Sequence, residues 1–272
     1  MNSKSLQLIN IIYTFRKYFA LSKKSLNLCK KLLITIENKI DSFQPGSKRL
    51  CISLFVQTIR LFEAILILCH KGLDEEAKIL TRSLIENTSY LLFILEKDHE
   101  DRAILYQHSR ALSGFSSAKR LNDNAPNNEE KLNMEFLIRN KENAIAYFRK
   151  KYGINLTESD IRKKYALRPQ NAAEKLEGTL KKIFLSTYGI FYSTASAVTH
   201  GEAPLNFMEF NNNKITLKKW SKGNTTKTCL QSGVLFTLCS LDDLLKLLEI
   251  NHKNNISPLI DELFRLIENN QG

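Results

Sequence analysis

From residue 3 to residue 40, apolar residues return every three or four positions: Leu6, Ile9, Ile12, Phe15 and Phe19, then Leu26, Leu33, Ile36 and Ile40. Lysines fill much of the opposite face. This spacing predicts one long helix, or two joined near Leu21–Ser22. Gln44-Pro45-Gly46-Ser47 interrupts it. A helix from about Lys48 to His70 follows, ended by Gly72. Apolar residues nearly surround that helix, which places it at the centre of the core. Asp74 to Glu96 reads as the next helix, with Asp74, Glu75 and Glu76 in the first turn, where the helix dipole favours acids. Another runs from His99 to Leu121, before a polar loop over residues 122–128.

Glu129 to Lys151 carries a narrow apolar stripe (Leu132, Phe136, Ile145, Phe148) on a charged helix. Thr157-x-x-Asp160 is a helix-start pattern ahead of a short basic helix through Tyr165, which Leu167-Arg168-Pro169 breaks. Residues 179–200 form a further helix. Two alternating runs, Leu205–Phe210 and Lys214–Trp220, flank Asn211-Asn212-Asn213 and predict a β-hairpin. Helices over about 225–250 and 258–269 close the chain, the last with Ser257-Pro258 as N-cap and first-turn proline.

The expected fold is therefore all-α, a multi-helix bundle of about eight or nine helices, with one small β-hairpin near 205–220. No Gly/Ser/Pro-rich linker divides the 272 residues, so a single domain over 1–272 is expected, with residues 1–44 as an N-terminal helical layer. Ten glycines and five prolines are too few for a turn-dense β protein. The five cysteines are odd in number, form no CxxC pair and sit in apolar helical contexts. They read as small buried hydrophobes rather than a disulfide framework or zinc site, and point to a reducing cytoplasm. No run reaches about 18 uncharged apolar residues, so no membrane span is expected. Met1–Phe19 has no compact apolar region followed by a small-residue cleavage site.

A formal charge of +12 favours acidic partners: nucleic acid, nucleotides or an anionic surface. The competing reading is a lysine-rich, solvated surface, since specific nucleic-acid contacts lean on arginine.

Four groups of residues could carry chemistry. Arg82 and Glu86 lie four apart on a mostly apolar helix, so they pair either as a structural lock or as an arginine held ready for an anion. Tyr188, Tyr192, Ser196 and His200 recur every four residues before Gly201. They form a hydrogen-bonding stripe that is either internal glue or a substrate wall with His200 as acid or base. Arg102-x5-His108, with Tyr106 between, is a third candidate pair, at a spacing that chance alone supplies about once. The fourth is the basic stretch over 131–182, with Arg139, Arg149-Lys150-Lys151, Arg162-Lys163-Lys164, Arg168 and Lys181-Lys182. Lys214, Lys218, Lys219 and Lys222 extend it, and Tyr147, Tyr152, Tyr165 and Trp220 are interleaved, a composition that can track a phosphate backbone or simply be solvated. No Gly-rich phosphate loop, HExxH or paired-acid motif occurs, so no metal and no cofactor are expected.

Arg82-Ser83-Leu84-x-Glu86, Arg102-x3-Tyr106 and Tyr192-x3-Ser196-x3-His200-Gly201 together resemble the signature of a family of uncharacterised bacterial and phage proteins, classed as a domain of unknown function. The resemblance covers about residues 45–205, leaving 206–272 as hairpin plus C-terminal helices. That family is similar in turn to HEPN domains, helical nucleases and nucleotide-binding modules of prokaryotic defence and toxin systems. The resemblance implies metal-independent RNA cleavage or RNA binding, in a homodimer or with a partner protein of the same system. It implies His200 as acid–base group, Arg82 as phosphate holder and Glu86 as its orienting partner, with Tyr192, Ser196, Arg102, Tyr106 and His108 as binding residues. This sequence departs from the HEPN pattern in having no arginine four to six residues before His200, so either Arg82 comes to it from another helix, or Arg102 and His108 supply the motif and His200 is structural. The alternatives are a non-enzymatic helical interaction module and a nucleotide or small-molecule sensor using the same polar pocket.

Overall fold

The computed structural model describes residues 3–43, 46–124, 134–199, 208–211, 214–217, 224–251 and 253–269. The N-terminal stretch is one unbroken helix, α1 (Ser3–Glu37), with no joint at Leu21–Ser22. Leu21 and Ser22 are both fully buried, so the bundle packs across that point and keeps it helical. A short 3-10 turn at Ile40–Ser42 leads to α2 (Ser47–Lys71) and α3 (Asp74–Glu96).

The α2–α3 corner is tight for a local reason. Gly72 takes a left-handed φ of 77°. Its N–H donates to the Cys69 carbonyl, and the Leu73 N–H donates to Leu68 at 2.9 Å. That pair of bonds satisfies two carbonyls at the end of α2 and turns the chain back on itself. Buried Asn87 of α3 then donates its amide to the Leu54 carbonyl and to Thr58 Oγ1 of α2, each at 2.8 Å.

Helix α4 (His99–Asp123) is tied to the start of α2 by a side chain rather than by a loop. The Glu100 carboxylate accepts both the backbone N–H and the hydroxyl of Ser47. It therefore caps the N-terminus of α2 from across the bundle, where a negative group suits the helix dipole. Helix α5 (Glu135–Tyr152) packs on α4 through Ala144 and Phe148, both fully buried. The predicted helix start at Thr157 is present as a reciprocal capping box with Asp160, opening α6 (Glu158–Asp160). α6 runs directly into a π-helical turn over Ile161–Tyr165, closed by the Ala166 N–H donating to Ile161 at 2.8 Å.

The sequence reading takes Leu167-Arg168-Pro169 as a break, and the structure adds a short helix there, α7 (Pro169–Glu174). Proline serves as its first residue, where its missing N–H is no loss, and Ala172 and Ala173 seal it onto α3. Helix α8 (Gly178–Thr199) lies antiparallel along α3, as the pairs Arg82–Tyr192 and Glu86–Tyr188 show. Strands β1 (Met208–Asn211) and β2 (Lys214–Leu217) pair antiparallel, with Phe210 opposite Ile215. Trp220, Lys218, Lys219 and Lys222 lie outside the described residues.

Helices α9 (Asn224–Leu247) and α10 (Lys253–Glu268) complete the bundle. Pro258 falls inside α10 rather than in its first turn, a correction to the Ser257-Pro258 start. Ile256 is only 1% exposed, and packing that residue holds the turn before the proline in helical form.

Helix α3 is the axis of the architecture: it touches α2, α4, α7, α8 and α9. By length and composition α2 could cross a bilayer, but half of its most apolar stretch is buried here, against α3 and α9 among others. All five cysteines are free, and burial pushes the thiols of Cys29, Cys51 and Cys239 up to about 12. Those three stay protonated at any ordinary pH, which removes them as nucleophiles.

Candidate functional site

Three of the four candidate groups meet around α3. On α3 the i, i+4 rule places Arg82, Glu86 and Tyr90 one above another. Arg82 Nε donates to Glu86 Oε1 at 2.9 Å, and both side chains are about a quarter exposed. The Arg82 guanidinium also lies over the Tyr192 ring of α8, 4.4 Å from its centre. One turn away, Tyr188 stacks on Tyr192 with ring centres 5.3 Å apart. A carboxylate on one side and an aromatic face on the other fix the guanidinium, leaving other N–H groups to reach a ligand.

The strip continues to α4. Tyr90 meets Tyr106 edge-to-face at 5.1 Å. Burial is the main cause that raises the Tyr90 phenol, and the Arg110 cation opposes it. Burial, with the Glu86 carboxylate next, pushes the Tyr188 phenol up to about 12. Tyr90 and Tyr188 are therefore neutral hydrogen-bonding groups near neutral pH. Tyr90 and Arg110 are not in the sequence-derived set. The signal was available: Arg82-x3-Glu86-x3-Tyr90 and Arg102-x3-Tyr106-x3-Arg110 extend the two quoted blocks by one helical turn.

The structure does not bring Arg102 and His108 together. Six residues at about 100° each turn them to faces roughly 120° apart. Arg102 is buried and points back at the end of α3. Its Nη1 donates to the Phe93 carbonyl and to Glu96 Oε2, and its guanidinium covers the Phe93 ring at 4.3 Å. His108 faces α5 and stacks on Tyr147 with ring centres 4.3 Å apart. Tyr106 alone of that block joins the strip.

Burial holds the His108 imidazole below its ordinary value. The unfolded chain then takes up the proton first, so stability is lost as the pH falls from 6.5 towards the folded-state value. An NMR titration of the His108 ring is expected to give a midpoint below 6.5. A midpoint at or above that value contradicts the buried, stacked position.

Part of the basic stretch forms an aromatic ladder. Tyr147, Phe148, Tyr152 and Tyr165 follow one another, the last two stacked at 4.6 Å. Lys151 donates to Tyr147 Oη at 3.1 Å and lies within 6 Å of both the Tyr147 and Tyr152 rings. Arg149, Lys150, Lys163 and Lys164 are exposed around it.

Ser196 belongs to α8, which places it one turn beyond Tyr192 on the backbone. His200 and Gly201 lie outside the described residues. Among the described residues no three His, Cys, Asp or Glu side chains group closely enough to hold a metal ion.

No curated protein and no solved structure matches this chain. A family model matches residues 48–215, a span that contains Arg82, Glu86, Tyr106, Tyr192, Ser196 and His200. The chain belongs to the Family of unknown function (DUF5677).

Proposed function

We propose that this chain is an RNA-binding protein whose ligand lies along the strip from Tyr192 and Arg82 to Tyr106 and Arg110. One observation carries the reading: residues from three separate helices converge into a row of tyrosines beside Arg82, which Glu86 and Tyr192 orient, with Arg110 at its far end. Arginine forks match phosphate oxygens, and tyrosine faces accept bases of any sequence. The lysine-bordered ladder on α5 and the charge of +12 supply the long-range attraction such a ligand needs.

Cleavage is the further step of this reading, supported by the resemblance to HEPN nucleases. Arg82 holds the scissile phosphate and Glu86 orients Arg82. His200 moves the proton while the 2′-hydroxyl attacks and the 5′-oxygen leaves.

The test uses a fluorescent single-stranded RNA and anisotropy, followed by a gel in EDTA. Arg82→Ala is expected to weaken binding tenfold or more, the loss of a charge-assisted contact of about 1.5–3 kcal/mol. Tyr192→Ala is expected to weaken it by a comparable factor, from a stacking contribution of about 1–3 kcal/mol. Unchanged affinity in both variants, with the fold intact, sinks the binding site. Cleavage in EDTA that His200→Ala abolishes supports the catalytic step, and cleavage that survives His200→Ala removes it.

A further inference from the structure

Arg110 of α4 stands between two adjoining cavities. The first, of about 470 Å³, opens between α4 and α5 and is lined by Tyr106, Gln107, His108, Asn140 and Asn143 beside Arg110. The second, of about 280 Å³, lies between α4, the base of α3 and the segment after the π-helical turn. Tyr90, Ser113, Arg162 and Arg168 line it, again with Arg110. Pockets for small ligands run from roughly 300 to 1,000 Å³, so the two compartments are of useful size when taken together.

Their chemistry differs in a directed way. The larger compartment presents three side-chain amides and a histidine whose protonation burial disfavours. Each of these groups offers both a donor and an acceptor without net charge, the pattern that pairs with the edge of a heterocyclic base. The side-chain amides of Gln107, Asn140 and Asn143 have no hydrogen-bond partner among the described residues, so those donors and acceptors are available.

The smaller compartment presents three guanidinium groups and no carboxylate among its lining residues. Arg168 is steadied by donating to the Arg162 carbonyl at 3.0 Å. Arg162 is steadied by Glu158, whose carboxylate takes up its Nε and Nη2 and leaves Nη1 over. Arg110 itself has no ion pair or side-chain hydrogen bond among the described residues. A solvent-reachable arginine without a counter-ion, flanked by two more that are held in place, is an anion site of the phosphate type.

We infer that the paired cavities around Arg110 bind a nucleoside phosphate, its base among the amides of Gln107, Asn140 and Asn143 and its phosphate against Arg110, Arg162 and Arg168. The inference goes beyond RNA binding along the Arg82 strip, because it needs no polynucleotide. A free nucleotide and one nucleotide unit of an RNA present the same chemistry here, and the experiment separates them.

The full chain is titrated calorimetrically with the four nucleoside monophosphates, the matching nucleosides, inorganic phosphate and a short single-stranded RNA. The proposal expects at least one monophosphate to bind at least tenfold more tightly than both its nucleoside and inorganic phosphate. Arg110→Ala is expected to weaken that binding at least tenfold with the thermal midpoint unchanged, since the side chain is exposed and has no ion pair among the described residues. Asn143→Ala is expected to alter the ranking of the four bases. Lys24→Ala, a charge removed from α1 beside Glu262, is expected to alter neither.

If monophosphates fail to bind but the RNA binds in an Arg110-dependent, Arg82-independent way, the occupant is a unit of RNA and the site stands. Binding of phosphate as tight as any nucleotide overturns the base compartment, and so the proposal. Wild-type affinity in Arg110→Ala overturns it as well, as does the absence of binding by every probe. Mononucleotide binding without any RNA binding leaves this site standing and removes the Arg82 strip, so the two readings fail separately.

Discussion

Arg102→Ala is expected to lower the stability of the protein by about 3 kcal/mol, seen as a shift of the urea midpoint at unchanged slope. The last carbonyls of a helix have no partner within it, and the last turn of α3 before Glu96 is buried at Phe93, Ile94 and Leu95. Arg102 answers that need from the next helix. Its Nη1 donates to the Phe93 carbonyl and to Glu96, while its guanidinium covers the Phe93 ring. Removing it strands a buried carbonyl and leaves the Glu96 carboxylate, about a quarter exposed, with its bond from the Glu177 N–H as its remaining partner among the described residues. Arg102→Lys is expected to recover part of the loss, because a lysine restores the charge but not the planar fork. A variant that folds as well as the parent while losing RNA binding would reverse this assignment and return Arg102 to the functional set.

Phe62→Ala is expected to cost about 3–5 kcal/mol. The Phe62 ring of α2 is fully buried and lies against Gly233 of α9. A Cβ at Gly233 would meet ring carbons of Phe62 at 2.5 and 2.6 Å, and a buried ring has no room to swing clear. Gly233→Ala alone is therefore expected to destabilise by about 1–3 kcal/mol through overpacking. In the Phe62→Ala background the sign should change. The added methyl then fills vacated space, and alanine gains about 1 kcal/mol over glycine in a helix. Two denaturation curves and their double variant measure the coupling. Additive effects would mean that α2 and α9 do not meet at this point.

Much of the secondary structure was legible along the chain. Gly72 could be read as a stop because only glycine takes a left-handed C-cap without strain, and Thr157–Asp160 as a start because a capping box is closed by residues three apart. Both signals are local, and local signals survive in a one-dimensional reading. The errors share a different cause. Pro258 is interior to α10 because Ile256 is buried, and residues 169–174 are helical because Ala172 and Ala173 fit against α3. Those decisions belong to distant partners.

The same division runs through the site. The pairing of Arg82 with Glu86 follows from a spacing of four and needs nothing else. Which Arg–His pair could act together does not follow from spacing: Arg102 and His108 satisfy a sequence pattern, yet helical geometry turns them towards different neighbours. Sequence by itself determined an all-α fold, its main helix limits and an Arg–Glu pair, because periodicity and caps are set within a few residues. Only the tertiary structure decided that Tyr192 shields Arg82, that Tyr90 and Tyr106 extend the row, and that Arg110, unpaired among the described residues, stands between two cavities. Those contacts join separate helices, and packing, not sequence spacing, chooses which helical faces meet.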